Sequence, residues 1–192
     1  GEYLARTDPA RGTYWVNAGI YLNNLGRFEE AESAYRRPLD AAEGTMPNAV
    51  HRPRQRALAG LLALARRQQR HEEALALARD LLAETEHLAG ADNPEALVRR
   101  HDVARSLMAV NQLAEAEELL RRVVADREAM GETGTAEHAR ILESLAEVLA
   151  RDGRGPEASH TARMAARAAV IGRSSFPPPA AKLPDSSCGF VV

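Results

Sequence analysis

The five residues His71-Glu72-Glu73-Ala74-Leu75 come nearest to a catalytic constellation in this chain. A zinc-protease helix needs two histidines one turn apart with a glutamate between them. Leu75 stands where the second histidine is required, so the ligand pair is incomplete and no metal is expected there. His51, His87, His101, His138 and His160 show no metal-ligand spacing either. Adjacent carboxylates such as Glu117-Glu118 sit in solvated helical runs. No phosphate-cradling glycine loop, nucleophile elbow or kinase signature is present. The single Cys188 excludes an internal disulfide framework and any all-cysteine metal site, and favours a reducing compartment. The reading is therefore of a non-enzyme with no cofactor, and the chemistry left to its side chains is recognition.

Composition says which elements must position those side chains. The 192 residues carry a net charge of −2, with 45% hydrophobic, 27% charged and only 4% aromatic residues. Alanine makes up roughly a fifth of the chain, so the core must be filled by many small side chains, as between closely packed helices rather than sheets. Near-neutral charge argues against a nucleic-acid partner. No apolar run approaches the roughly 20 residues that cross a bilayer, so no membrane association is expected, and the compartment is read as cytoplasmic.

A period organises the sequence. The segment around Gly26-Arg27-Phe28-Glu29-Glu30-Ala31 recurs around Ala74, Ala116 and Ala158, three steps of 43, 42 and 42 residues. Each anchor alanine follows one amphipathic helical pattern and opens another. Upstream of the third, Val103, Ala104, Leu107 and Val110 form one apolar face; downstream, Ala116, Leu119, Leu120, Val123 and Val124 form the next. Neither helix of such a hairpin can bury its stripe alone, so hairpins must stack. Asn93-Pro94 reads as a helix start, with Asn93 capping and Pro94 in the first turn; Gly90 can end the helix before it. Thr7-Asp8-Pro9 keeps the same offset, so residues 1–8 read as the stump of a preceding helix and the chain, which opens without Met, as a piece of a longer array.

These residues resemble the tetratricopeptide repeat family in its long, 42-residue form, found in kinesin light chains and many bacterial regulatory proteins. Trp15, Ala18-Gly19, Leu22, Gly26-Arg27-Phe28, Ala31 and Tyr35 look like the family's signature positions, and the first hairpin matches best. The resemblance implies an all-α, right-handed α-solenoid of four helix-turn-helix repeats at about 9–46, 47–92, 93–134 and 135–171. Pro38 departs from it, and interior proline should bend or shorten that helix. The joint between repeats one and two is expected to be irregular, with His51-Arg52-Pro53 adding length ahead of the second hairpin. Leu62 replaces a small residue there while Gly60 lies two positions earlier, so local repacking is expected.

The resemblance places the first helix of each hairpin on a concave wall. Thr13, Val16, Asn17, Ile20 and Asn23 would line it in the first repeat, and Arg56, Ala59, Gly60, Ala63 and Arg66 in the second. His101, Asp102, Arg105 and Met108 follow in the third, then Arg140, Glu143, Ser144 and Glu147. Asn17 occupies a position where family members often hydrogen-bond a bound peptide, as an amide offers donor and acceptor together; it reads equally as a solvated groove residue. Arg56, Arg66 and Arg105 suit carboxylates of a partner, while Glu143 and Glu147 make the far end acidic. The function implied is binding of a protein or peptide segment, as part of a larger scaffold or regulatory protein. Two alternatives stand beside it: a peptide sensor whose groove holds its own tail or a neighbouring domain, and an accessory or catalytic helical array. Residues 172–192, rich in proline and serine, read as a flexible tail.

Overall fold

Every hairpin turn makes the same demand on its backbone. Five residues ahead of each anchor alanine the chain takes a positive φ: Gly26 at 76°, Gln69 at 58°, Asn111 at 62° and Gly153 at 79°. Two of the four are glycine, which adopts this conformation without steric cost, and Asn111 tolerates it through its short polar side chain. The turn geometry is thus a property of the register, and the sequence satisfies it with different residues.

In the computed structural model, residues 9–40 and 48–174 are described. They form eight helices and no strand: α1 (Pro9–Asn24), α2 (Phe28–Asp40), α3 (Asn48–Arg67), α4 (His71–Ala89), α5 (Pro94–Ala109), α6 (Leu113–Ala129), α7 (Ala136–Arg151) and α8 (Gly155–Ser174). Each packs on its neighbour in sequence, and the first helices of successive hairpins also touch, α1 against α3 and α5 against α7. The array is the right-handed α-solenoid of four hairpins that the resemblance implied. Asn93 caps α5 by accepting from the Glu95 amide at 2.8 Å; Thr135 caps α7 by accepting from His138 at 3.1 Å. Such a cap contributes about 1 kcal/mol.

The anchor alanines Ala31, Ala74, Ala116 and Ala158 are all buried. One continuous core runs from Leu58 in α3 to Ala158 in α8. A second, around Val16, Tyr35, Leu61 and Leu64, joins the first hairpin to it. Pro38 is buried within α2, the shortest of the described helices at 13 residues. His51-Arg52-Pro53, expected to lengthen the connector, belongs instead to α3, which reaches 20 residues. The expected stump at 1–8, residues 41–47 of the connector, and the tail from 175 onward lie outside the described residues; Gly172 to Ser174 complete α8.

The repacking expected near Gly60 has a definite form. The Tyr35 ring, only 2% exposed, reaches from α2 between α1 and α3. A Cβ added to Gly19 would stand 2.6 Å from it, and one added to Gly60 would stand 2.5 Å away. Both are far inside van der Waals contact, so the ring needs a glycine on each side. Gly12 makes room in the same joint for Pro53, whose Cβ would lie 2.9 Å from a new methyl. Arg37 stacks over Trp15 at 4.4 Å and Arg67 over Phe28 at 4.6 Å, which adds cation–π attraction between α1 and α2 and between α2 and α3.

Candidate functional site: the wall of first helices

Side chains on α1, α3, α5 and α7 form a wall whose polar positions are largely bonded from one hairpin to the next. Arg56 Nη2 donates to Asn17 Oδ1 at 3.1 Å, joining α3 to α1. Arg66 donates to Asp102 Oδ1 at 2.9 Å, to the Asp102 carbonyl at 2.6 Å and to Ser106 Oγ at 3.2 Å, joining α3 to α5. Arg99 approaches the other carboxylate oxygen at 3.4 Å. His101 Nε2 lies 2.8 Å from Ser144 Oγ, which itself donates to the Arg140 carbonyl, and so α5 meets α7. Arg151 closes the far side, donating to the Met108 carbonyl at 2.9 Å and to Asn111 Oδ1 at 3.1 Å.

Asn17, Asp102 and Ser144 share one register position, fourteen residues ahead of their anchor alanines. Each is engaged by an adjacent hairpin rather than standing open to a ligand. Asn23 is half-buried, and its Oδ1 has no hydrogen-bond partner. Val16 and Met108, expected on the groove surface, are core residues at 0% and 5% exposure. Helical rotation of about 100° per residue explains Val16: it stands one step round from Asn17, on the face turned to the second helix.

His101 occupies the register position of Val16 and takes the consequences. Burial pulls its pKa from 6.5 to about 4; Arg105, Arg66 and Arg127 push the same way, and Asp102 opposes them. The folded protein therefore binds fewer protons here than the unfolded chain, so stability is fullest above pH 6.5 and falls as pH drops towards about 4. Burial shifts His138 in the same direction. We expect the melting temperature to fall between pH 7 and pH 5, and His101→Gln to flatten part of that fall. The recovered stability should be on the order of 1 kcal/mol; an unchanged pH profile in the variant would show that His101 titrates normally.

One row of the wall stands open along all four first helices. Ile20, Ala63, Arg105 and Glu147 stand eleven residues ahead of their anchors, one on each first helix, and all four are exposed. Glu143 is exposed beside Glu147. Arg105, Glu143 and Glu147 hold no ion pair among the described residues. Read from α1 to α7 the row passes from apolar through cationic to anionic.

A second concavity lies between α6, α7 and α8. It encloses about 440 Å³ over Val124, Leu142, Leu145 and Leu149, with Glu157 and His160 at its edge. Its carboxylate is unsuited to acid chemistry, because a hydrogen bond from Arg154 holds Glu157 below the usual carboxylate range. No group of three or more His, Cys, Asp or Glu able to hold a metal occurs among the described residues, and no helix of theirs is long and apolar enough to cross a membrane.

Residues 97–132, which cover most of α5 and all of α6, match the tetratricopeptide repeat family. The chain carries a tetratricopeptide repeat. The match falls on the third hairpin rather than the first, whose second helix contains Pro38. The eight-helix array as a whole shares its fold with kinesin-light-chain-like structures. One such structure, from Podosopora anserina and described as having nearly identical TPR-like repeats, is 20% identical over 89% of this chain and 79% of its own, with a TM-score of 0.67. Another, BtubC (BKLC) from P. vanneervenii, is 15% identical over 96% of this chain and 72% of its own, with a TM-score of 0.74. A search of curated proteins found no match to the sequence. Tetratricopeptide repeats are generally protein-interaction modules.

Proposed function

We propose that the chain binds a segment of another protein along its wall of first helices, as the recognition part of a larger scaffold or regulatory protein. The observation that carries this reading is the exposed row Ile20, Ala63, Arg105 and Glu147. The lattice of bonds from Arg56, Arg66 and His101 leaves that row open while fixing the helices that bear it. Prior rigidity lowers the ordering cost of association. The guanidinium of Arg105 suits a carboxylate of the ligand, Glu143 and Glu147 suit a basic residue further along, and Ile20 with Ala63 offers apolar contact at the other end. A ligand segment with an apolar, then an acidic, then a basic residue would be bound in one direction. Asn17, Arg56, Arg66, Asp102 and His101 act in this reading chiefly by holding the wall in shape.

Selection from a random peptide library tests it. Peptides enriched on the wild-type chain should carry an acidic residue, and Arg105→Glu should weaken them about tenfold or more, since like charges are then opposed. Glu147→Lys should leave the acidic requirement in place and remove the basic one. If the enriched peptides bind both variants as they bind wild type, the ligand site is elsewhere.

A further inference from the structure

The concavity between α6, α7 and α8 lies inside the array, at the third joint between hairpins, and the other two joints show how it arises. Three residues after the anchor alanine stand Leu77 at the first joint and Leu119 at the second, both packed against the core. The third joint has Thr161 there. Eight residues after the anchor of the preceding hairpin stand Leu39 and Leu82, again packed against the core, and at the third joint Val124. Two facing walls are therefore each shorter than the register provides elsewhere. About 440 Å³ is left over Leu142, Leu145 and Leu149. The side chain this joint lacks is a leucine. Its mouth is charged: Arg121 and Glu157, 3.6 Å apart, keep 50% and 54% of their side-chain surface exposed.

The residues that follow α8 contain what the joint lacks. Between 175 and 192 there is one leucine, Leu183, preceded by Lys182 and followed by Pro184 and Asp185. Thr161 stands 13 residues before Ser174, about 20 Å back along α8 at the helical rise per residue. The nine residues from Ser174 to Leu183 span about 30 Å when extended, and a run such as Pro177-Pro178-Pro179 favours extension. Leu183 therefore reaches the cavity. Phe176, two residues past the helix, falls short at about 7 Å.

We propose that segment 182–185 of the chain's own tail docks at the third joint, with Leu183 in the place that Leu77 and Leu119 fill at the other joints, Lys182 facing Glu157 and Asp185 facing Arg121. At about 30 Å³ for each water-sized atom, the cavity also admits Pro184 beside the leucine. Tethering supplies the segment at a millimolar effective concentration, so a short contact suffices. The tail then acts as a strap across α6 and α8, holding the fourth hairpin to the third where the joint's own side chains fall short.

Cys188, the chain's only cysteine and five residues from Leu183, accepts a nitroxide label that tests the proposal by NMR. The methyl signals of Leu145, Leu149 and Met164 should broaden in the labelled chain and sharpen when the nitroxide is reduced. Leu183→Asp should cut the docked-to-free ratio about tenfold or more, the effect of withdrawing a leucine from an apolar site, and so restore the signals. Thr161→Leu and Val124→Leu fill the cavity from its two sides. Each should also restore the signals while the melting temperature stays at or above wild type, which a loss of structure would not do. Absence of broadening in the wild-type chain overturns the proposal, as does broadening that persists in all three variants. Broadening seen only when nitroxide-bearing chains are mixed with unlabelled-cysteine, isotope-enriched ones overturns it in favour of a second copy's tail. Recovery with Phe190→Asp and none with Leu183→Asp overturns it in favour of Phe190.

Discussion

Tyr35→Ala should destabilise the first hairpin by about 3–4 kcal/mol, the range found when a large buried aromatic is truncated. Its ring fills the space between α1 and α3, and burial also lifts its phenol above the ordinary 10. The two glycines that admit it, Gly19 and Gly60, leave nothing on either side to close the gap. In a stacked array a weakened joint releases its hairpin without unfolding the rest, so a separate early transition in thermal melting should appear, with the third and fourth hairpins keeping their own. Gly60→Ala provides the sharper check. In the wild-type background the new methyl would stand 2.5 Å from the ring, a clash whose cost of about 1–3 kcal/mol outweighs the roughly 1 kcal/mol gained in helix propensity. In the Tyr35→Ala background the clash is gone and only the propensity gain remains. The same substitution should therefore change sign, and two destabilising results would show that the ring is not what the glycine accommodates.

Asp102→Ala is expected to cost about 2 kcal/mol, measured by urea denaturation. Its carboxylate, 19% exposed, receives Arg66 at 26% and faces Arg99 at 22%. Removing it leaves half-buried Arg66 with no carboxylate, close to Arg99, which keeps Glu95 at 3.0 Å, and that is worse than losing the bond alone. The partial exposure of all three groups keeps the figure below the 3–5 kcal/mol typical of fully buried pairs. Arg66→Ala in the Asp102→Ala background should restore part of the loss, because it takes away the stranded charge. Strict additivity of the two substitutions would show that they do not interact. The single variant should also free Arg66 towards the exposed row, so acidic peptides would bind it more tightly than wild type even as the array becomes less stable.

Much of the fold follows from order along the chain. The 42-residue step, the burial of the anchor alanines, the cap at Asn93 and the eight-helix hairpin plan all rest on local pattern, and local pattern is visible in a linear string. The turns are also legible, though less directly: Gly26 and Gly153 announce a positive φ, whereas Gln69 does so only through its register. Pro53 could not be read this way. Taken locally it breaks a helix, yet α3 runs through it, and Gly12 on α1 leaves room for its ring.

The wall was legible as a set of positions but not as a set of bonds. Helical spacing brought Asn17, Arg56, Arg66, Asp102, Arg105, Glu143 and Glu147 to the first helices, and the sequence by itself determined that much: which residues share a face, and which charges those faces carry. Whether two such charges find each other depends on the separation and rotation of helices about 40 residues apart in sequence. Only the tertiary structure decided that Arg66 is consumed by Asp102, that Arg56 reaches Asn17, and that His101 turns inward to Ser144 while Arg105 stays outside. The physical reason is range. Periodicity is set by the backbone dihedrals of one helix, but hydrogen bonds act over about 3 Å, so a few degrees of rotation between packed helices separate a paired side chain from an exposed one.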